Sequence, residues 1–303
     1  MKSRGFVPAE PEPVPAPLVS IVTPVRNGER FVAQTVESVL AQEYPHLEYI
    51  VVDGGSTDRT LEILAQFSDR ITIVRGPDAG QADALNRGFA LARGEIFGWL
   101  NADDLYVPGA IDAVVKAFGD RSEIGVVYGE ADHIDDEGCV IDAYPVESFD
   151  AAMLERRCFI CQPAAFVRRA AYAAAGGLDP ALHYALDYDL WIRLSRSTRF
   201  VRVPRPLARS RMHVTNKTLG FRREAYEETM SVLRRRYGYV PYEWVYGYTS
   251  FLLDRKDQYF EASHATPPKV LLSLALGLAR NPLRPLRFVR DWLSHRGFAA
   301  NRG

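Results

Sequence analysis

The sequence of 303 residues contains only three cysteines and no long hydrophobic run, and each absence excludes a class of protein. Three cysteines cannot form a disulfide framework, which is typical of a reducing compartment and favours the cytoplasm. Without a run of about 18 apolar residues no transmembrane helix is predicted, and the N-terminus lacks the basic and apolar regions of a signal peptide. The net charge of −1 gives no global field for nucleic acid, so we expect no nucleic-acid partner.

The first half of the chain alternates β-branched apolar runs with segments of helical spacing. Strands are predicted at 18–23, 47–52, 71–74, 96–100 and 124–128, and helices at 81–92 and 109–118. This alternation predicts an α/β protein with a mostly parallel sheet and helices on both faces. The next region is mixed, with a hairpin predicted at 132–144, strands at 164–168, 200–203 and 207–212, and a helix at 184–197. Residues after about 219 are predicted to be helical.

Acidic residues follow several of the predicted strands. Asp53 closes the run 49–52, Asp103 and Asp104 come after 96–100, and Asp187 lies downstream on a predicted helix. Side chains at the carboxyl ends of parallel strands converge on the crevice where open α/β sheets bind ligands. This arrangement suits a metal-assisted enzyme that acts on a nucleotide.

Two common phosphate-binding motifs are missing from the chain. There is no Gly-x-x-x-x-Gly-Lys-Ser/Thr loop, and no Gly-x-Gly-x-x-Gly follows a strand. The sequence Asn101-Ala102-Asp103-Asp104 offers another way to manage phosphate charge, because hard oxygen ligands bind a divalent cation that can bridge a diphosphate. Its position directly after an apolar strand strengthens this interpretation.

Seven short motifs, in order along residues 18–220, together resemble the family 2 glycosyltransferases, although each alone is unspecific. Asn101-Ala102-Asp103-Asp104 resembles the Asp-x-Asp-type metal motif of that family. The other six motifs are Ser20-Ile21-Val22-Thr23-Pro24-Val25-Arg26-Asn27-Gly28-Glu29, Asp53-Gly54-Gly55-Ser56-Thr57-Asp58, Gly80-Gln81-Ala82-Asp83-Ala84-Leu85-Asn86-Arg87-Gly88, Gln162-Pro163, Gly176-Gly177-Leu178-Asp179 and Asp187-Tyr188-Asp189-Leu190-Trp191.

Three regions are expected from composition and from this resemblance. Residues 1–17, with five prolines between positions 8 and 17, form a Pro-rich leader that is predicted to be disordered. The resemblance implies that 18–220 form a Rossmann-like GT-A catalytic domain, with 18–130 as the nucleotide-sugar-binding half and 131–220 as the acceptor half. Residues 221–303 would form a helical C-terminal extension.

The resemblance also implies which residues contact the donor sugar nucleotide. Thr23, Pro24 and Glu29 would line the nucleoside pocket, and Asp53 would accept a hydrogen bond from the base. Further donor contacts are implied for Asn27, Gln81, Asn86, Arg87 and Asn101. For Arg87 an alternative interpretation is a surface pair with Asp83, four residues earlier on the same helix.

A divalent metal, Mn²⁺ or Mg²⁺, is the implied cofactor. Asp104 would bind the metal and Asp103 would lie near the ribose or the donor sugar. His213, in a segment similar to the late Arg-x-His of the family, would be a further ligand, because neutral imidazole binds Mn²⁺ well. The alternative interpretation is that His213 is a structural histidine. Arg211 and Lys217 would neutralise the departing diphosphate.

Asp187 is the predicted general base. In a helix over 184–197 it shares a face with apolar residues three, four and seven positions later, where a carboxylate is costly unless it has a role or a partner. Partial burial would also raise its pKa towards a useful range for accepting a hydroxyl proton. The alternative is a structural aspartate that pairs with Arg193. The family often has Glu directly before this position, where this chain has Leu186.

The segment 270–296 combines apolar and aromatic residues with five arginines. Such a basic amphipathic segment can lie on an anionic membrane surface, which would make the protein peripheral on the inner face of the membrane. The alternative is a helix packed on the catalytic domain or on a second subunit, as in a homodimer.

The function predicted from the sequence is a metal-dependent, inverting glycosyltransferase of surface polysaccharide or glycolipid synthesis. The donor would be a nucleoside-diphosphate sugar, with UDP favoured by family frequency, and the acceptor a glycan or a lipid-linked glycan. A sugar nucleotidyltransferase and a non-catalytic, nucleotide-sugar-binding partner subunit are the alternatives.

Overall fold

The computed structural model describes residues 16–213, 216–255 and 264–295. The predicted disordered leader therefore lies almost entirely outside the described residues. None of the helices in the described ranges is long and apolar enough to cross a bilayer.

A nine-stranded sheet forms the centre of the described part of the chain. Its strands are β1 (Val19–Val25), β2 (Leu47–Asp53), β3 (Thr72–Arg75), β4 (Ile96–Trp99), β5 (Leu105–Tyr106), β6 (Ile124–Ile134), β7 (Val140–Ala143), β8 (Ala165–Arg168) and β9 (Arg199–Arg211). They are ordered β3-β2-β1-β4-β8-β6-β9-β5, with β7 paired to β6. The pairings of β1 with β2 and β4, of β2 with β3, and of β6 with β9 are parallel. The predicted α/β class with a mostly parallel sheet is confirmed.

Helices cover both faces of the sheet. They are α1 (Val32–Leu40), α2 (Thr60–Ala65), α3 (Gln81–Leu91), α4 (Ala110–Phe118), α5 (Met153–Arg156), α6 (Arg169–Ala174), α7 (Leu186–Leu194), α8 (Lys217–Gly220), α9 (Arg222–Tyr237), α10 (Tyr242–Asp254), α11 (Pro267–Arg280) and α12 (Pro285–His295).

Alternation along the central strands divides the core into two layers. In β2 the side chains of Ile50 and Val52 join the layer under α3, α6, α7 and α9, whereas Tyr49 and Val51 join the layer under α1, α2 and α4. Successive side chains of a strand point to opposite faces, so a strand buried on both faces is apolar throughout. This explains why the predicted strands read as continuous apolar runs.

Strand β9 differs from the prediction of two short strands. It is one strand of 13 residues, and its pairing with β6 shifts register beside Gly129 and Glu130. Pro204 and Pro206 lie in this part of β9. A proline cannot donate to the ladder, and a local irregularity accommodates it without ending the strand.

The last three helices pack into a third apolar cluster, which α9 connects to the sheet layers through Met230, Val232 and Leu233. The ring of Phe288 in α12 lies against Gly277 in α11, where an added Cβ would come within 1.8 Å of that ring. The predicted helical character after residue 219 is confirmed for the described residues.

Candidate functional site

A cleft of about 880 Å³ opens at the carboxyl ends of β1 and β4. Its walls are formed by residues after β1, after β4, around the start of α7, at the end of β9, and on α9. This is the edge of the sheet at which the sequence placed the convergent carboxylates. Helix α9 belongs to the predicted extension, so the predicted boundary at residue 220 passes through the wall of the cleft.

Asp103 and His213 meet in this cleft. The Oδ2 atom of Asp103 lies 3.0 Å from Nε2 of His213. The antiparallel pairing of β5 with β9, in which Leu105 is opposite Arg209, draws the residues before β5 towards those after β9. Both side chains line the cleft, and that of Asp103 keeps 27% of its surface exposed.

Asp104, the residue predicted to bind the metal, lies behind Asp103 and is 2% exposed. Its Oδ1 accepts a hydrogen bond from the backbone N–H of Arg211 at 2.9 Å, and its Oδ2 accepts one from the side chain of Asn101 at 2.9 Å. Burial, with the charge of Asp103 beside it, raises the pKa of Asp104 to about 8. Both carboxylates line the cleft, but both oxygens of Asp104 already bond to the protein and hold the loop, and Asp103 is the more exposed of the two.

Arg211, which is predicted to neutralise the departing diphosphate, lines the cleft, but most of its guanidinium N–H groups are bonded to the protein. Its guanidinium donates to the backbone carbonyls of Asp103, Asp135 and Asp136 and to the side chain of Gln34, at 2.8 to 3.0 Å. The group is 1% exposed and lies over the ring of Phe31. Arg211 therefore joins the turn of the β6–β7 hairpin to the loop that carries Asp103.

A row of amide and amine groups crosses the cleft beside these carboxylates. Lys217 Nζ donates to Gln81 Oε1 at 2.7 Å, and Gln81 Nε2 donates to Asn101 Oδ1 at 2.7 Å. Asn101 also accepts from the indole N–H of Trp99 and donates to Gln162. The structure thus brings together the predicted residues Gln81, Asn101 and Lys217, and adds Gln162 to them.

Asp187 lies in the first turn of α7 and faces the same cleft. Burial raises its pKa to about 6; backbone N–H groups of the first turn oppose that rise, and the charge of Glu228 adds to it. Within the described residues the alternative pairing with Arg193 does not occur, because Arg193 bonds to Asp189 at 2.8 Å instead. A half-buried carboxylate with a pKa near 6 can accept a proton at neutral pH.

Asp189, two residues further along α7, has the opposite environment. Its side chain is fully buried and is bonded to Arg193, Arg235 and Arg236. Burial would raise the pKa of Asp189, but the hydrogen bonds from Arg236 and Arg193 hold it below its ordinary value. Helical geometry separates the two carboxylates by about 200° around the axis, so one faces the cleft and the other faces α9.

The loops after β1 and β2 are tied together at one border of the cleft. Asn27, which has a positive φ of 53°, accepts from the backbone N–H of Thr57 at 2.8 Å. The carboxylate of Glu29 accepts from the backbone N–H of Arg59 at 3.0 Å, and that of Asp53 accepts from those of Gly55 and Ser56. Asn27 lines the cleft, as does Pro24, whereas Glu29 and Asp53 hold the loops that border it.

Three further residues predicted to contact the donor face the protein interior or its own loops. Thr23 is fully buried, with its hydroxyl 3.0 Å from that of Tyr49. Asn86 bonds to the backbone N–H and carbonyl of Leu178, and Arg87 donates to the carbonyls of Gly76 and Pro77. None of the three lines the cleft, and the alternative pair between Arg87 and Asp83 is also not formed, since Asp83 accepts from the backbone of Ala79.

Glu228 of α9 is a residue that the sequence analysis missed. Its carboxylate accepts hydrogen bonds from the backbone N–H groups of His183, Tyr184 and Ala185 at 2.6 to 3.0 Å. These three residues lead directly into α7, so Glu228 fixes the approach to Asp187. A glutamate on a helix rich in Arg and Glu looks like surface charge in the sequence, and no spacing relates it to Asp187.

The chain is similar to known glycosyltransferases. The family model described as Glycosyl transferase family 2 matches residues 20–172. An uncharacterized glycosyltransferase of Rickettsia typhi is 31% identical over 217 residues, covering 67% of this chain and 66% of that protein. The chondroitin synthase of Escherichia coli is 28% identical over 240 residues, covering 75% of this chain and 34% of the synthase. The chain thus spans about two thirds of the first relative and about a third of the second.

Solved structures share the fold. S. aureus TarS 1–349 in complex with UDP-GlcNAc superimposes with a TM-score of 0.63 at 13% identity, covering 94% of this chain and 93% of that chain. Mannosyltransferase PcManGT from Pyrobaculum calidifontis, in complex with GDP-Man and Mn²⁺, superimposes with a TM-score of 0.58 at 18% identity. The match covers 97% of this chain and 78% of that chain. The predicted GT-A fold is confirmed by these two likenesses.

Proposed function

Because the chain belongs to glycosyl transferase family 2, we propose that it transfers a sugar from a nucleoside-diphosphate sugar to an acceptor hydroxyl. One observation carries this proposal: a single cleft contains the pair Asp103 and His213 together with Asp187, whose carboxylate forms no ion pair among the described residues. The pair suits a cation on the donor side, and Asp187 suits a proton acceptor on the acceptor side.

We propose Mn²⁺ or Mg²⁺ as the cofactor, held by Asp103 and His213 rather than by Asp104. A carboxylate and an imidazole are ligands that Mn²⁺ accepts, and Asp103 retains exposed surface towards the cleft. Within the described residues no group of three or more His, Cys, Asp or Glu side chains could hold a metal alone. Diphosphate oxygens and water would complete the coordination, and the cation would neutralise the leaving diphosphate.

The donor would lie along the hydrogen-bonded row in the cleft. Pro24 and Asn27 border the nucleoside end, and Lys217 supplies a positive charge near Gln81 and Asn101. Asp53 and Glu29 would support this end by holding its loops, without touching the donor themselves. UDP is the favoured nucleotide, and the complex of TarS with UDP-GlcNAc supports this choice. GDP is the alternative to test, because PcManGT binds GDP-Man.

Transfer would proceed by direct displacement. The acceptor oxygen gives its proton to the Asp187 carboxylate while it attacks the anomeric carbon on the face opposite the diphosphate. The bond from that carbon to the diphosphate oxygen breaks, the new glycosidic bond forms, and the configuration inverts. No covalent intermediate with the enzyme is needed, so one carboxylate of suitable pKa is sufficient.

The acceptor is proposed to be a glycan or a lipid-linked glycan in surface polysaccharide or glycolipid synthesis. The similarity to a chondroitin synthase supports a polysaccharide role. The cytoplasm is the proposed compartment, since Cys139 is an exposed free thiol that suits a reducing environment.

A binding experiment tests the donor side of this proposal. Calorimetry with UDP, GDP, dTDP and CDP, each with Mn²⁺, Mg²⁺ or EDTA, should find one nucleotide that binds only with metal. Asp103→Asn should weaken that binding at least about tenfold, whereas Asp120→Asn, which changes an exposed acid away from the cleft, should leave it intact. Binding without any transfer or hydrolysis of the matching nucleotide sugars would favour the non-catalytic partner subunit. No binding by any of them would contradict the proposal.

A further inference from the structure

The outer surface of α11 and α12 is unusually apolar. Of the ten large hydrophobic side chains that are exposed in the described residues, five lie between residues 271 and 293. They are Leu271 (66% exposed), Leu278 (36%), Leu283 (92%), Leu286 (74%) and Leu293 (45%). The other five are distributed over the rest of the described chain. This concentration defines an outer face formed by 271–293.

The two helices place leucine where water-exposed helices normally carry charge. In α11 the buried positions are Lys269, Ser273 and Gly277, whereas Leu271 is on the opposite side. In α12 the buried positions are Phe288 and Asp291, and the outer ridge carries Leu286, Arg290 and Leu293 at spacings of four and three. Both helices therefore carry exposed leucines on the side turned away from their buried positions, which indicates that the outer face contacts something apolar.

The charge of this face has one sign. From residue 262 to residue 290 the sequence contains no Asp or Glu. Arg284 and Arg290 are exposed, and Arg287 pairs with Glu155 while lying over the ring of Tyr239. Lys269 is buried and paired with Asp254, so the exposed positive charge belongs to the arginines beside the leucines.

We propose that the outer face of 271–293 docks on an anionic lipid bilayer. The leucines would enter the boundary between head groups and acyl chains, and the arginines would contact the anionic head groups. A second copy of the chain fits less well, because a two-fold contact would place the same arginines against one another. Nucleic acid would satisfy the arginines but leave the leucines without an apolar partner. The proposal is independent of the catalytic steps above.

Vesicle flotation of the full chain tests this surface. With vesicles of phosphatidylcholine containing about 30% phosphatidylglycerol the protein should float, and with pure phosphatidylcholine it should not. About 0.5 M NaCl should weaken the binding by screening the arginines. The double variant Leu283→Glu/Leu286→Glu should bind at least about tenfold more weakly, because two leucines no longer enter the bilayer. Leu91→Glu, the same substitution at a leucine that is 55% exposed on α3, should bind like the unchanged chain.

A second pair of variants tests how much the arginines contribute to vesicle binding. Arg290→Gln should weaken binding about fivefold, the loss expected for one basic side chain near an anionic surface, and Arg199→Gln, exposed on β9, should not. All of these positions are exposed, so the variants should fold, and circular dichroism would verify it. Nucleotide binding of the Leu283→Glu/Leu286→Glu variant should be unchanged, which separates this result from the proposed function.

Two results would overturn the proposal. One is equal flotation of the leucine double variant and the unchanged chain. The other is a stable dimer, measured by light scattering, that the double variant converts to monomer while neither form binds vesicles.

Discussion

The carboxylate of Asp103 lies 3.0 Å from Nε2 of His213, although 110 positions separate the two residues in the chain. If this pair holds the cation, Asp103→Asn and His213→Ala should each weaken metal-dependent nucleotide binding at least about tenfold, since even indirect contacts of metal ligands cost that much. Titration calorimetry with Mn²⁺ would measure the loss. Equal affinity of either variant and the unchanged chain would contradict the assignment.

Asp104 should behave differently from its neighbour. In Asp104→Asn the new NH2 group would face either the NH2 group of Asn101 or the backbone N–H of Arg211, and both of these groups already donate to this position. We expect the variant to lose about 1–3 kcal/mol of unfolding free energy, the cost of a buried group without its hydrogen bond. Urea unfolding of Asp104→Asn and of Asp103→Asn measures this loss of unfolding free energy. A larger loss for Asp103→Asn would contradict the structural role assigned to Asp104.

Asp187→Asn should separate binding from transfer. The amide cannot accept the acceptor proton, so transfer should fall at least about a hundredfold, the usual contribution of a general base. Nucleotide binding with metal should stay unchanged, because the assigned donor contacts lie elsewhere in the cleft. A radiolabelled-sugar transfer assay and calorimetry on the same preparation would measure both quantities. Normal transfer by the variant would eliminate Asp187 as the base.

The pH dependence follows from the raised pKa of Asp187. The carboxylate must be ionised to accept a proton, so the transfer rate should rise with pH through about 6 and level off above it. The contribution of Asp187 to the free energy of unfolding should fall as the pH rises. The folded pKa lies above the ordinary 3.8, so this group stabilises the fold most below about 4 and loses that contribution as the pH rises through about 6. Unfolding of Asp187→Asn and the unchanged chain between pH 4 and 8 should therefore show the variant gaining relative stability as pH rises. A constant difference would show that burial does not shift this group.

Much of the fold could be predicted because the central strands are mostly apolar. The apolar runs indicate β1, β2 and β4, and the Gly-containing turn indicates the β6–β7 hairpin. Strand β9 was divided in two because Pro204 and Pro206 interrupt its apolar pattern, whereas the register shifts opposite β6 keep it continuous. Such a shift depends on the partner strand, which local sequence does not specify.

The site was harder to predict than the fold. Asp103 and Asp104 are adjacent and both line the cleft, and only the turn after β4 decides which of them is the more exposed. Arg211 carries the charge that a diphosphate needs, yet three backbone carbonyls that converge in the fold occupy it. Glu228 acts on the backbone before α7, a contact between distant segments. In each case residue type was informative, and orientation came from tertiary structure.

The two aspartates of α7 provide the sharpest test of these assignments. Asp189 is fully buried, and its partners Arg193, Arg235 and Arg236 are 14%, 46% and 24% exposed, so Asp189→Asn would remove the shared counter-charge of three partly exposed guanidinium groups. Breaking a fully buried pair costs about 3–5 kcal/mol, and because these arginines are partly solvated we expect a loss of about 1–3 kcal/mol. The variant should unfold at clearly lower urea concentration than Asp187→Asn, which removes no ion pair within the described residues. Any transfer that the folded fraction of Asp189→Asn retains should keep the pH dependence of the unchanged chain, since Asp187 is intact. Similar stability of the two variants would show that the arginine network contributes little, and loss of the pH dependence would show that the base lies elsewhere.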